Sequence, residues 1–138
     1  MNEQQVLDAL AGLSLFADLD RPQLQAVAHT MSEESFPSGQ RILRQGFAGS
    51  GFFVILDGQV AVHVDGTDVA RLGKGDFFGE ISLLLGEPPV ADVVALTPGH
   101  ALQLAGRDLR DFLLAYPDVM YRMLQSVSRR LDRANRRS

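Results

Sequence analysis

Between residues 32 and 105 the chain is punctuated by glycine at 39, 46, 49, 51, 58, 66, 73, 75, 79, 86 and 99, with short runs rich in Val, Ile, Leu and Phe between them. Turn signals at that density between short apolar runs predict many short strands in a sandwich or barrel. Asp57-Gly58 and Asp65-Gly66 are the strongest hairpin signals. Between them Val60, Val62 and Val64 alternate with Gln59, Ala61, His63 and Asp65, as in a strand with one buried face. Residues 52–56 are apolar on both faces, which places that strand centrally. Further strands are expected over 41–44, 67–72, 90–96 and 100–105.

Both flanks read as helical. Val6, Leu7 and Leu10 sit at helical spacing. Asp20 is a good N-cap, and Gln23 stands where it closes a capping box. Leu19 and Leu24 are placed for a hydrophobic staple, Pro22 falls in the first turn, and Leu24, Val27, Ala28 and Met31 continue one apolar stripe. After the strands, Leu109, Phe112 and Leu113 form a short amphipathic helix, broken at Tyr116-Pro117 because the residue before proline is pushed out of helix. A longer helix is expected from about 117 to about 134. Its Met120, Leu124, Val127 and Leu131 step as a heptad seam. That seam packs either on the chain's own barrel or on a second copy in a homodimer.

The chain has 138 residues, the size of one domain, with 46% hydrophobic and 22% charged residues, as in an ordinary soluble globular protein. The organisation expected is a single domain over 1–138: helices at 1–31, strands at 32–105 and helices at 106–138. No apolar run is long enough to span a membrane, and Met1 to Gln5 is polar, unlike a secretory signal. Cysteine is absent, which excludes disulfides, thiol catalysis and Cys-based zinc sites. A cytoplasmic setting is expected. The net charge of −4 is uneven: residues 1–128 carry 8 basic and 16 acidic side chains, while Arg129, Arg130, Arg133, Arg136 and Arg137 face only Asp132 at the end. The acidic body argues against non-specific nucleic-acid binding. The terminal arginines read as a solubilising helix end whose cations complement the helix dipole, in preference to a site for nucleic acid or acidic lipid.

The segment 73–94 reads GKGDFFGEISLLLGEPPVADVV. Gly75-Asp76, then Phe78-Gly79-Glu80, a short apolar helix and the Gly86-Glu87-Pro88 turn resemble the phosphate-binding cassette of the cyclic-nucleotide-binding domain family. Leu15-Phe16 before the capped helix, Phe36-Pro37-Ser38-Gly39, Gln45-Gly46 and the strand from Phe53 to Gly58 extend the resemblance over nearly the whole chain. It implies a mainly β fold, an eight-stranded jelly-roll-like β-barrel flanked by N-terminal and C-terminal α-helices, with the cassette over 78–90. It also implies roles. Gly79 lets backbone approach a ligand closely. Glu80 accepts a ribose hydroxyl, and the amides near Ile81 and Ser82 face a phosphate.

The sequence departs from that family where the phosphate is held. The family arginine falls at Pro89; the next positions are Val90, Ala91 and Asp92, and no basic residue stands between Lys74 and Arg107. With Glu80, Glu87 and Asp92 nearby, the expected pocket is acidic and lacks the phosphate's charge-assisted partner. Three readings of the pocket remain: a degenerate sensor whose cAMP or cGMP binding is weak or lost, a functional binder whose phosphate is held by Arg71 or Arg44, as in the sensor part of a transcription regulator, and a receptor for a less anionic small ligand; a protein-interaction scaffold is the further alternative. The first is preferred. Catalysis is not expected. His29, His63 and His100 form no metal-ligand pattern, so no metal or cofactor is called for beyond a cyclic nucleotide, and Ser14, Ser82 and Ser126 have no nearby histidine. In the family's transcription factors a helix-turn-helix follows the long helix; no DNA-reading element is expected in this sequence.

Overall fold

Two helices open the chain, and local side chains start both. In the computed structural model, which describes residues 1–47 and 51–137, α1 (Glu3–Ala11) and α2 (Arg21–Thr30) each begin with a reciprocal capping box. The Asp20 carboxylate accepts the Gln23 N–H at 2.9 Å, and the Gln23 side-chain oxygen accepts the Asp20 N–H at 2.9 Å. Two otherwise orphaned donors are satisfied, and the helix starts where the sequence predicts. Leu24 and Val27 are buried, with Leu19 packed beside them as a staple requires.

The strands then follow in sequence: β1 (Ser32–Phe36), β2 (Arg41–Leu43), β3 (Gly51–Asp57), β4 (Val60–Val64), β5 (Thr67–Leu72) and β6 (Phe77–Phe78). A short helix α3 (Glu80–Leu85) leads to β7 (Asp92–Ala95) and β8 (Gly99–Ala105). Among the described residues these strands form two antiparallel four-stranded sheets, ordered β1-β8-β3-β6 and β2-β7-β4-β5, the jelly-roll arrangement flanked by helices. Gly49 and Ser138 lie outside the described residues.

The central strand β3 explains its own sequence. Phe52, Val54 and Leu56 point to a core shared with the helices, including Leu10, Phe16, Val27, Phe112 and Met123. Phe53 and Ile55 point the other way, into a core between the sheets with Val60, Phe78 and Val93. Period-2 alternation with both faces buried is why 52–56 shows no polar residue. Phe53 stacks on Phe78 with ring centroids 4.8 Å apart.

Three local expectations are corrected. Asp65-Gly66 closes the β4–β5 hairpin with positive φ at both residues, 52° and 80°. Asp57-Gly58 does not close a hairpin: β3 and β4 belong to different sheets, and this turn hands the chain from one to the other. Gly58 has φ +88°, and a Cβ there would lie 2.8 Å from the Pro98 carbonyl oxygen, so the corner is packed too tightly for a side chain. β7 begins at Asp92, two residues after the expected 90; the segment before it is tied instead through the Pro89 carbonyl, which accepts the Gly46 N–H. The two-residue β6 was not anticipated as a strand; the Gly75-Asp76 turn and Gly79 leave room only for Phe77 and Phe78.

Helices α4 (Leu109–Ala115) and α5 (Pro117–Arg137) close the fold, separated by Tyr116 in a non-helical conformation before Pro117. The stripe of α5 buried on the domain is Val119 and Met123, with Val127 partly buried against the same core. Within the heptad seam, Met120, Leu124 and Leu131 stay exposed, the last two at 60% and 61%. Arg122 secures the helix to the N-terminal region through two hydrogen bonds to the Asp18 carboxylate, at 2.9 and 3.0 Å. Among the described residues no helix is long and apolar enough to cross a membrane.

Candidate functional site

The Gly73–Gly79 turn places the site. Asp76 accepts the Gly73 N–H at 2.9 Å through its side chain and the Ile55 N–H at 2.9 Å through its carbonyl, which fixes the turn to β3. Gly79 then turns at φ +95°, a left-handed conformation that a residue with a Cβ rarely adopts. A Cβ at Gly79 would also collide with the carbonyl oxygen of Gly51. Backbone therefore packs on backbone, and α3 starts at Glu80 against the mouth of the sheet sandwich. Gly86, at φ +69°, ends the helix.

Beside α3 lies an open cavity of about 190 Å³. The cassette side is Gly79, Glu80, Ile81 and Ser82; Pro89, Val90 and Ala91 form the adjoining wall. Strands β2, β4, β5, β6 and β7 contribute only apolar side chains, from Leu43 to Val93. All seven site residues predicted from the sequence thus line one cavity. Ser82 is buried and bonds through its hydroxyl to the Gly79 carbonyl at 3.3 Å. Pro89 is buried, and its carbonyl accepts the Gly46 N–H at 2.8 Å.

The charges differ from expectation. Glu80 lines the cavity; Glu87 and Asp92 do not. The Asp92 carboxylate turns instead to the Gln45 N–H. Arg44 and Arg71 are exposed and do not line the cavity, and Arg71 lies 3.5 Å from Asp68. Among the described residues the one cation lining it is Arg130, from α5. Its guanidinium donates to Glu80 Oε1 at 3.2 Å and to the Phe77 carbonyl at 2.8 Å, and its central carbon sits 4.4 Å from the centroid of the Phe77 ring. Burial, with only 5% of its side chain exposed, pushes the Glu80 carboxyl above its ordinary value, opposed by its own backbone N–H and by Arg130.

Sequence reasoning assigned Arg130 to a solvated helix end. The signal that finds it is its spacing: it stands three residues after Val127 and seven after Met123, so it extends the inward stripe of α5. His100 pairs with Asp57 at 2.9 Å and His29 lies 3.4 Å from Glu3. Among the described residues no cluster of His, Asp and Glu fit to hold a metal occurs.

The structure thus sets a glycine-headed short helix against a largely apolar cavity in a two-sheet jelly roll. Residues 33–116 match the sequence profile of the cyclic nucleotide-binding domain, and the chain belongs to that family, whose domains are regulatory modules. It is 40% identical over 101 residues to a cGMP-dependent protein kinase (egl-4) of Caenorhabditis briggsae, covering 69% of this chain and 14% of the kinase. Among solved structures it superposes on a cyclic nucleotide-binding domain of Methylobacillus flagellatus with a TM-score of 0.81 and 26% identity, covering 97% of this chain and 80% of that one. The regulatory subunit of a cAMP-independent protein kinase A from Trypanosoma brucei gives a TM-score of 0.79 and 27% identity, covering 91% of this chain and 45% of that one.

Proposed function

We propose that the chain is a non-enzymatic regulatory module whose cassette pocket binds cAMP and cGMP weakly. One observation carries this reading: at the position after the Gly86-Glu87-Pro88 turn the cavity wall is Pro89, and the one cation lining the cavity among the described residues, Arg130, is already committed to Glu80 and the Phe77 carbonyl. A phosphodiester entering here finds no uncommitted counter-charge. A hydrogen bond to a charged group is worth roughly 1.5–3 kcal/mol, so its absence weakens binding by about ten- to a hundredfold. The Trypanosoma brucei relative, by its name, belongs to a cAMP-independent kinase, which agrees with a fold of this kind working without cAMP.

The module reports through α5, which connects the pocket to an exposed apolar seam. Met120, Leu124 and Leu131 stand exposed at heptad spacing, and this favours pairing with a second copy in a homodimer. Calorimetry with cAMP and cGMP tests the pocket reading. Affinity no tighter than high micromolar is expected; low-micromolar binding by the unmodified chain would overturn it.

A further inference from the structure

A second cleft, of about 200 Å³, lies between the two sheets on the side of their edge strands β1 and β2, and it shares no lining residue with the cassette cavity. Phe36 and Phe53, from the core between the sheets, form part of its wall. Its polar lining is Glu34, Ser35, Gln40 and Gln103. Among the described residues the Gln40 and Gln103 side chains make no hydrogen bond, and no cation lies within ion-pair distance of the Glu34 carboxylate, which accepts only the Ser32 hydroxyl at 3.5 Å. We propose that this cleft is a second ligand site, taking a small organic cation, an alkylammonium or alkylguanidinium, whose charge meets Glu34 and whose carbon chain lies on Phe36 and Phe53.

Gln103 carries the argument. Strand periodicity puts Ala101 and Gln103 on the face of β8 that looks between the sheets, while Leu102 and Leu104 face the helices. Gln103 stands directly across from Phe53. An apolar side chain there would extend the core and close the cleft. Inward-pointing charge on an edge strand guards against unwanted pairing, which accounts for Glu34 on β1. It does not account for Gln103, because β8 is bonded on both sides, to β1 and to β3. The Gln103 side chain is also held in place: it lies over the backbone of Gly51, where a Cβ would collide with its amide. A polar group on an inner strand face is normally hydrogen-bonded, and here the partner is left to whatever enters the cleft. The chemistry of that partner follows from the lining. Glu34 sets the sign of its charge, the amide oxygens accept further N–H donors, and the rings with Ile42 cover carbon. The cleft is smaller than the roughly 300–1,000 Å³ of sites for drug-sized ligands, so the occupant is small. The acidic body of the domain draws cations toward it.

The site is tested with n-butylguanidinium, followed by amide NMR on the full chain, and the outcome does not depend on the cyclic-nucleotide reading. Saturable shifts are expected at residues 34–36 and 101–103, with half-saturation at about 1–10 mM, as suits a probe of so few atoms. Neutral butyramide at the same concentration should leave these amides in place. Glu34 is exposed, so Glu34→Gln should keep the fold, and it should weaken binding at least about tenfold by removing the charge-assisted partner. Gln103→Leu keeps the charge and fills the cleft, and should weaken binding severalfold. The proposal is overturned by the absence of a saturable shift, by shifts spread evenly over the acidic surface, by equal shifts with butyramide, or by parent-like binding in either variant.

Discussion

Asp92 Oδ1 accepts the backbone N–H of Gln45 at 2.7 Å, joining the start of β7 to the loop after β2 across 47 positions of sequence. The same Gln45 exchanges two hydrogen bonds of 2.9 Å with Asp65, at the β4–β5 turn. A carboxylate that sequence reasoning counted as a repulsive charge in the pocket is thus a brace between strand ends. Asp92→Ala should lower stability by about 1.5–3 kcal/mol, the range for a hydrogen bond to a charged group, with Asp92→Asn losing less. Urea unfolding of the two variants measures this, and equal midpoints for Asp92→Ala and the unmodified chain would remove the brace.

Pro89→Arg alone should bring cAMP affinity up by about ten- to a hundredfold, because it supplies a charge partner and keeps a backbone carbonyl at the position that receives the Gly46 N–H. No substitution of Asp92 is needed alongside it. Calorimetry reads the gain; a Pro89→Arg protein that folds and binds no better than its parent would show that the missing arginine is not what limits binding.

Gly79→Ala should destabilise the domain by at least about 1–3 kcal/mol, the cost of holding a non-glycine residue at such a φ, with the collision against Gly51 added. Thermal unfolding checks the size. Tolerance of alanine would mean the cassette can shift away from β3.

Solution mass by light scattering addresses the α5 seam. A dimer is expected, and Leu124→Asp should convert it to monomer by placing an unpaired charge in the contact. Leu124 is 60% exposed in the isolated chain, so the substitution should leave the monomer's fold intact.

Glu80 also predicts a pH dependence. Its folded-state value lies above the ordinary 4.5, raised chiefly by burial. The folded state therefore binds this proton more tightly than the unfolded chain does. The group's contribution to stability is fully present below the unfolded value and is lost as pH rises through the folded one. Denaturant unfolding of the parent and of Glu80→Gln over a pH series should show the parent losing stability relative to the variant as pH rises from 4.5. A difference that does not change with pH would show that burial has not shifted this carboxyl.

What the sequence made legible was what local chemistry decides. The Asp20–Gln23 box, the Asp65-Gly66 hairpin, the two-faced strand at 52–56 and the cassette from Gly75 to Pro88 each announce themselves within a few residues. Where the sequence was silent, the deciding partner was far away. Asp57-Gly58 has the composition of a hairpin turn, but only the packing of Gly58 against Pro98 and Gly99 shows that the chain is changing sheets. Arg130 stands among four other arginines in a tail that reads as solvated. Its role follows from the 4, 4 and 3 spacing of Val119, Met123, Val127 and Arg130, a pattern that the heptad of exposed leucines obscures.

Strand β3 is a party wall. With Phe52, Val54 and Leu56 belonging to the helical side and Phe53 and Ile55 to the space between the sheets, neither compartment has a boundary of its own on that side. The same strand starts at Gly51, whose backbone is the contact of Gly79 on which the cassette rests. A substitution on either face of β3 therefore alters the packing of both compartments at once.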